Sequence, residues 1–394
     1  MNKKKMIYIA NSSFPSNTAY ATRIYYLCKI YQSLGYEITI ISTEGEDGYI
    51  SWLDKDSMKI ITFSPKVTSW RMNLKNLIFG GKRLKKILHT LFNEKPDVVI
   101  IGGGYTRLFR TTKDFCDKSS AKLIIEVCEW FNMSQFPLGC FSPFYWDNRI
   151  GLRILYKKSD GIIAISSYLQ EYYKRFDKKT VRIPTILDSS YIKKINNDKF
   201  DNKKINIVYA GFIGKNKDAL DVIIKALIQE PDLQKYIHLH IIGPSEQSIK
   251  KQLGMESLEC NNLNDSITVY GPLSRELSLE YVVKADFTIL IRPQTLNANA
   301  GFPTKVAESM LQGTPVIANL TSDIGNYLRH LETGIVINGN TVNDVIDGLK
   351  KVTKLDTKSI QDMRIRCREV AKESFDYRVY VEEIRELNFS MNVN

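Results

Sequence analysis

The sequence predicts an α/β protein made of two tandem units, each built on a parallel sheet. Three observations lead there. Short apolar runs alternate with helical patterns along most of the chain, as in successive β–α–β units. The alternation stops once, at the polar, aperiodic "DSSYIKKINNDKFDNKK" (188–204), and then restarts. A chain of 394 residues is too long for one ordinary core and suits two domains. Apolar content of 43% and charged content of 25% are those of a globular protein.

Taken in order, "MIYIAN" reads as the first strand. "ATRIYYLCKIYQSLG" reads as a helix with an apolar stripe, ending at Gly35. "EITIIS", "KPDVVIIGGG", "AKLIIEVCEW" and "SDGIIAIS" supply further strands of the first unit. Beyond the linker, "INIVYAG" is a strand and "DALDVIIKALIQ" a helix; "HLHIIG", "ITVYG", "ADFTILI", "PVIAN" and "GIVI" are strands. Tyr377, Tyr380, Val381, Ile384 and Leu387 share one face of an amphipathic terminal helix. The expected boundaries are a first domain over 1–187, with the helix 375–390 packed back on it, a linker over 188–204 and a second domain over 205–374. Open α/β sheets bind ligands beyond the carboxyl ends of their strands. The cleft between two facing domains is therefore the expected site.

The charge is unevenly spread. Residues 1–190 hold 29 Lys and Arg against 17 Asp and Glu, whereas the remainder balance at 26 against 26. The whole excess of +12 lies in the first half and points to an anionic partner there: a membrane surface, a nucleic acid or a phosphorylated acceptor. No nucleic-acid-binding module is recognisable. "MNLKNLIFGGKRLKKILHTLF" (72–92) reads as a basic helix whose apolar stripe packs on the sheet and whose lysines face an anionic bilayer. No run of about 18 apolar residues exists to span a membrane, and "MNKKKMIYIAN" lacks a signal-peptide apolar region. The six cysteines show no C-x-x-C pair and read as reduced buried thiols. His238 and His240 alternate on one strand face without a third ligand and read as structural.

No G-x-G-x-x-G follows the first strand, which runs into "NSSFPSNTAYATR". There is also no G-x-x-x-x-G-K-[ST] and no G-x-S-x-G. The glycines of "IGGGYTR" (101–107) suit either a close ligand approach or a tight turn. Two basic loci remain. In "YAGFIGKNKDAL" a strand ends at Gly211, and Lys215 and Lys217 lead into a helix, either as solvated lysines or as phosphate contacts beside free backbone N–H groups. In "NANAGFPTKVAESMLQGTPVIAN" (297–319), a loop over Asn297–Gly301 leads to Pro303 at the first helical position, capped by Thr304 or Phe302. Gly313 and Pro315 end that helix. Lys305 falls in its first turn and Glu308 about one turn further on. Each singly also reads as a surface residue. Together they match a nucleotide diphosphate, with phosphate at the helix end and ribose hydroxyls on the carboxylate.

At these residues the sequence resembles the retaining glycosyltransferases of family four. The most specific stretch is "AGFPTKVAESMLQGTPVIAN", supported by "TSDIGNYLRHLETGIVI", "YAGFIGKNKD", "VRIPTILD" and "FPSNTAYATRIYYLCKIYQSLGYEITIIS". The resemblance covers nearly the whole chain. It implies the GT-B fold: two Rossmann-like domains facing across a cleft, with the nucleotide-sugar in the C-terminal one and the acceptor in the N-terminal one. It implies that Glu308 binds the ribose hydroxyls and Lys217 the phosphate. It further implies that the backbone of Gly301, Phe302 and Pro303 meets the diphosphate and donor sugar, and that Arg292 is a basic neighbour of the site. Two departures stand out. The family's first glutamate falls at Ala300, leaving Asn297 or Asn299 as substitutes. The family's histidine falls near Cys128, leaving Glu126 or Glu129 as an acceptor-side base or binder, or as a solvated strand-end pair.

The expected reaction is front-face transfer with retention, in surface polysaccharide or glycan synthesis, to a saccharide or lipid-linked acceptor. Lys217, Lys215 or Lys305 and helix-end N–H groups would stabilise the leaving diphosphate. With those cations in place no metal and no cofactor is expected; "DKD" (54–56) lies in an irregular polar stretch. A UDP-sugar is the expected donor, as substrate. The expected location is the cytoplasm, at the inner membrane face for a lipid-linked acceptor. A non-catalytic sugar-nucleotide binder and a GT-B-like nucleotide-sugar epimerase are the rival readings.

Overall fold

The computed structural model describes residues 3–44, 50–53, 57–62, 69–91, 93, 95–191, 200, 203–211, 218–253 and 266–393. It divides into two compact units: Met1–Leu187 with Tyr377–Asn394, and Asp188–Asp376.

In the first unit the strands are β1 (Lys5–Ser13), β2 (Glu37–Glu44), β3 (Ile50–Leu53), β4 (Met58–Thr62), β5 (Val98–Gly102), β6 (Lys122–Val127), β7 (Gly161–Ala164) and β8 (Lys179–Arg182). They form one sheet in the order β3-β4-β2-β1-β5-β6-β7-β8. Only β3–β4 is antiparallel. β3, β4 and β8 lie outside the strands legible in the sequence, because each is only four or five residues long and flanked by polar chain. The middles of β1, β5 and β6 (residues 6–10, 98–101 and 123–125) are apolar because helices cover both faces of a parallel sheet. The helix Ala19–Ser33 buries Ile24, Leu27 and Ile30 against that core, and the Thr18 side chain caps its first turn.

The last residues complete this unit. Asp376 interrupts the run of helix, so the terminal stretch is not one helix over 375–390. One helix ends at Phe375, a 3₁₀ turn spans Tyr377–Tyr380 and a second helix spans Val381–Ser390. Tyr380, Ile384, Leu387 and Met391 join the core of the first sheet. Tyr31 donates to Asn388 Oδ1 at 3.1 Å, and Tyr26 stacks on Tyr377.

The second unit holds β9 (Ile205–Ala210), β10 (Ile237–Ile242), β11 (Ile267–Gly271), β12 (Phe287–Leu290), β13 (Val316–Asn319) and β14 (Gly334–Ile337). All are parallel, in the order β11-β10-β9-β12-β13-β14. Chain direction reverses in sheet order beside β9, so the ends of β9 and β12 form a switch point of the kind where α/β folds bind ligands. His238 and His240 lie in this sheet with structural partners. His238 shares a hydrogen bond with Thr268, and His240 bonds both Tyr270 and Asn206. Burial lowers the His240 pKa to about 3, which keeps the ring neutral. Cys140 is exposed and Cys128 half-buried, so the thiols are not uniformly buried, although the described cysteines are free.

Candidate functional site

The site begins where β9 ends. Gly211 has φ +151°, and a Cβ there would collide with the Cε and Nζ of Lys305. A Cβ on Gly243, at φ +110°, would meet the Gly211 carbonyl. Only glycine permits both approaches. The Lys305 side chain thus lies across the end of β9. Its Nζ pairs with Asp218 Oδ2 at 2.5 Å and reaches the Tyr209 hydroxyl at 3.2 Å. Tyr209 also donates to Asp218, and burial holds its hydroxyl well above the usual tyrosine range. On the far side of Asp218, Arg292 Nε stands 3.7 Å from Oδ1. Arg292 is nearly buried, is locked to Asn319 through its backbone and donates to the Ala298 carbonyl. Two cations therefore converge on one carboxylate, leaving a net positive charge beside the end of β9.

The second half of the site is the helix Thr304–Leu311. Pro303 is its N-cap residue, not its first helical residue, and no side chain caps the turn. The chain before it also differs from the expected loop. Leu296–Ala300 is a short helix, because the Thr295 side chain caps it and Ala298 and Ala300 favour helix. Gly301 then breaks the path between the two helices. The Phe302 ring packs edge-on to Tyr327 and against Phe375, so only its backbone is left for a ligand.

Glu308 lies one turn beyond Lys305. Arg275 Nη2 meets its Oε1 at 2.5 Å, and a quarter of the Glu308 side chain stays open. Burial raises its pKa above the ordinary glutamate value, against the opposing charges of Arg275 and Lys305. Ala300 is fully buried. Asn299 is committed to the Ser322 backbone N–H at 2.9 Å. Asn297 is 4% exposed. Of the two amides considered as substitutes, Asn299 is thus held by the protein.

Arg292, Gly211, Lys305 and Asp218 meet directly, and Glu308 joins them through Lys305. Asp218 and Arg275 were not singled out in the sequence, although an acid directly before the helix Leu220–Gln229 was a visible signal. Lys215 and Lys217 lie outside the described residues, as does the "DKD" stretch at 54–56.

In the first unit, Glu126 is neither solvated nor open to a substrate. It is fully buried, Arg23 Nε pairs with it at 2.6 Å, and Tyr8 donates to its other oxygen. Arg23 also donates to the Pro184 carbonyl, which fixes the pair in the core. Glu129 is half-buried at the end of β6. The glycines of "IGGG" admit side chains: a Cβ on Gly102 would strike the Tyr20 hydroxyl, and one on Gly104 would meet the Asn11 amide at 2.8 Å. Asn11 enters a polar recess of about 200 Å³ with Thr43, Glu44, Asn73, Asn76 and Tyr105. Tyr105 donates to Asn73 Oδ1 at 2.5 Å. The basic helix spans Trp70–Thr90, with Leu84 and Leu88 buried beside Gly80 and Gly81, and Lys82, Lys85 and Lys86 exposed. Gly81 sits against Thr111 and the Arg107 backbone, so the inner stripe packs on the helix Thr106–Ser119. Among the described residues no helix is long and apolar enough to cross a membrane.

Two α/β units built on mainly parallel sheets, with two cations gathered on Asp218 at a strand end of the second, match the GT-B class of fold. Solved structures share it over their whole length. Sucrose-phosphate synthase from Thermosynechococcus elongatus is 14% identical, with a TM-score of 0.75 and 99% of each chain covered. Anabaena HepE in complex with UDP and glucose is 14% identical, with a TM-score of 0.68, covering 98% of this chain and 100% of that one. Residues 191–374 match the family model described as glycosyl transferases group 1. That range falls within the second unit and supports a group 1 glycosyltransferase. An uncharacterised glycosyltransferase of Methanocaldococcus jannaschii is 24% identical over 261 residues, which span 62% of this chain and 62% of that relative.

Proposed function

We propose that the chain is a retaining glycosyltransferase that moves a sugar from a nucleotide diphosphate, UDP in the first instance, to a saccharide or lipid-linked acceptor in surface glycan synthesis. The observation that carries this reading is the convergence of Lys305, Arg292 and Asp218 at the open end of β9, one turn from Glu308. A diphosphate fits against Lys305 and the uncapped N–H groups of the 304–311 helix. The ribose hydroxyls fit Glu308, which Arg275 already orients. The structure of HepE with UDP and glucose supports this choice of donor.

In the reaction, the acceptor oxygen bonds to the anomeric carbon as the bond to the diphosphate oxygen breaks on the same face. The proton passes from the acceptor hydroxyl to the leaving diphosphate. Lys305, Lys217 and the helix-end N–H groups offset the charge that develops there. The polar recess around Asn11, Asn73 and Asn76 suits sugar hydroxyls, because amides both donate and accept. Glu129 is the remaining carboxylate at the end of β6 for acceptor contact. The exposed lysines of the 70–90 helix suit an anionic bilayer, and this supports the reading of a lipid-linked acceptor met at the inner membrane face.

The test is a panel of nucleotide-sugars scored by thermal shift and then by hydrolysis. The true donor should stabilise by mass action, about 2.7 kcal/mol at a hundredfold excess over Kd. A panel in which no nucleotide-sugar shifts unfolding sinks the reading. Stabilisation followed by conversion of the donor without an acceptor would favour the epimerase, and stabilisation with no turnover the non-catalytic binder.

A further inference from the structure

Exposed apolar side chains are concentrated in one short stretch of the first unit, residues 133–154. Leu138 is 78% exposed and Phe141 86%, with Trp146 and Ile154 both at 55%. Met133 and Ile150 are exposed as well. Single exposed apolar residues are ordinary, but a run of six on one segment marks an interaction surface.

The arrangement is ordered. The helix Pro143–Ile150 continues without a break through the π-helical turn Gly151–Leu155. Trp146, Ile150 and Ile154 recur every four residues and share one side of it. Arg149 and Arg153 recur at the same interval, with Arg149 about 60° around the axis from Trp146, and Lys157 follows in the 3₁₀ turn Tyr156–Lys158. An apolar stripe thus runs beside a basic one. The cations are seated on aromatic rings: Arg149 on Tyr145, Arg153 on Trp130 and Lys157 on Phe176. Rings packed edge to face, Phe131 on Phe136 on Tyr145 on Trp146, form the base. Trp146 Nε1 ties the helix to the Cys140 carbonyl at 2.8 Å.

Leu138 stands at the tip with φ +66°, a left-handed conformation that costs a bulky residue about 1 kcal/mol. Strain and high exposure fall on the same apolar residue. Neither benefits the isolated unit, and both are expected where a side chain is aimed at a partner.

We propose that residues 133–157 form an interfacial anchor that inserts Leu138, Phe141 and Trp146 into the headgroup region of an anionic bilayer. Basic residues beside apolar ones select that occupant over a neutral apolar partner. The segment carries Arg149, Arg153 and Lys157 against Asp147 alone, within the half of the chain that holds the whole excess of positive charge. This surface is built from other residues than the donor site and the 70–90 helix. The inference deepens the bilayer contact proposed above by naming a second surface for it, and it does not depend on the transferase activity.

The test is co-sedimentation of the full chain with phosphatidylglycerol vesicles and with phosphatidylcholine vesicles, with no nucleotide-sugar present. The wild type should bind the anionic vesicles and release them as salt rises. The double variant Leu138→Asp with Phe141→Asp should lose at least about tenfold in binding while unfolding at the wild-type temperature. Phe389→Asp, at an equally exposed phenylalanine outside the segment, should bind as the wild type does. Wild-type protein that ignores anionic vesicles overturns the proposal. So does binding lost on Lys82→Glu with Lys85→Glu but kept in the double variant. A wild-type dimer that the double variant splits, with vesicle binding unchanged, identifies a second copy as the occupant and overturns it too.

Discussion

Lys305 reaches back across the end of β9 to Asp218, at 2.5 Å, through the space that a side chain on residue 211 would take. The lysine is therefore held in place and largely neutralised before any ligand arrives. Asp218→Asn should free it. Binding of UDP should tighten a few-fold, since a nearby anion then meets two cations without a competing carboxylate. The same change should lower stability by about 1–3 kcal/mol, because one of the two oxygens that Tyr209 and Arg292 address becomes an amide NH2. Lys305→Met should weaken UDP. Calorimetric titration of both variants checks this, and weaker binding by Asp218→Asn would contradict it.

Glu308 gives a pH signature. Its native pKa is raised, so the folded state holds its proton more tightly than the unfolded chain does. That contribution to stability is full below the unfolded value near 4.5 and is lost as pH rises through the raised native value. Glu308→Gln removes this titration. The stability difference between wild type and variant should therefore move against the wild type as pH climbs through that window. Denaturant melts at half-unit pH steps read it; parallel curves would show that Glu308 titrates normally.

Restoring a glutamate at residue 300 should not restore a sugar contact. Ala300 is fully buried, so Ala300→Glu adds volume and a charge to closed space. It should destabilise by about 2–4 kcal/mol. A well-folded Ala300→Glu with tighter donor binding would show that the recess opens where the packing says it is shut.

Glu126 separates a structural from a catalytic carboxylate. Glu126→Ala leaves Arg23 buried without its partner and should cost about 3–5 kcal/mol. Glu126→Gln keeps an acceptor for Arg23 and should recover part of that. If Glu126 were a general base, the glutamine variant would lose turnover with its stability intact.

Both sheets were legible in the sequence because their central strands are long apolar runs. The outlying strands β3, β4 and β8 were not, since four or five residues flanked by polar chain leave too little periodicity to read. In the site, Lys305 and Glu308 were recognisable by their spacing within one helix. Asp218 and Arg275 were not, because their partners lie 87 and 33 residues away. The role of Glu126 was obscured for the same reason: nothing near it in sequence announces Arg23. The position of Pro303 depended on backbone angles, which residue type alone leaves open between N-cap and first turn.

The return of Tyr377–Asn394 to the first unit has a consequence for synthesis. A chain leaving the ribosome amino end first would ordinarily complete its units in order. Here the groove beside the 19–33 helix waits for Tyr380, Ile384 and Leu387, which emerge after the whole of Asp188–Asp376. The unit that starts first is therefore the one that finishes last, and a nascent chain stalled before residue 377 would carry a complete second unit behind an unsealed first one.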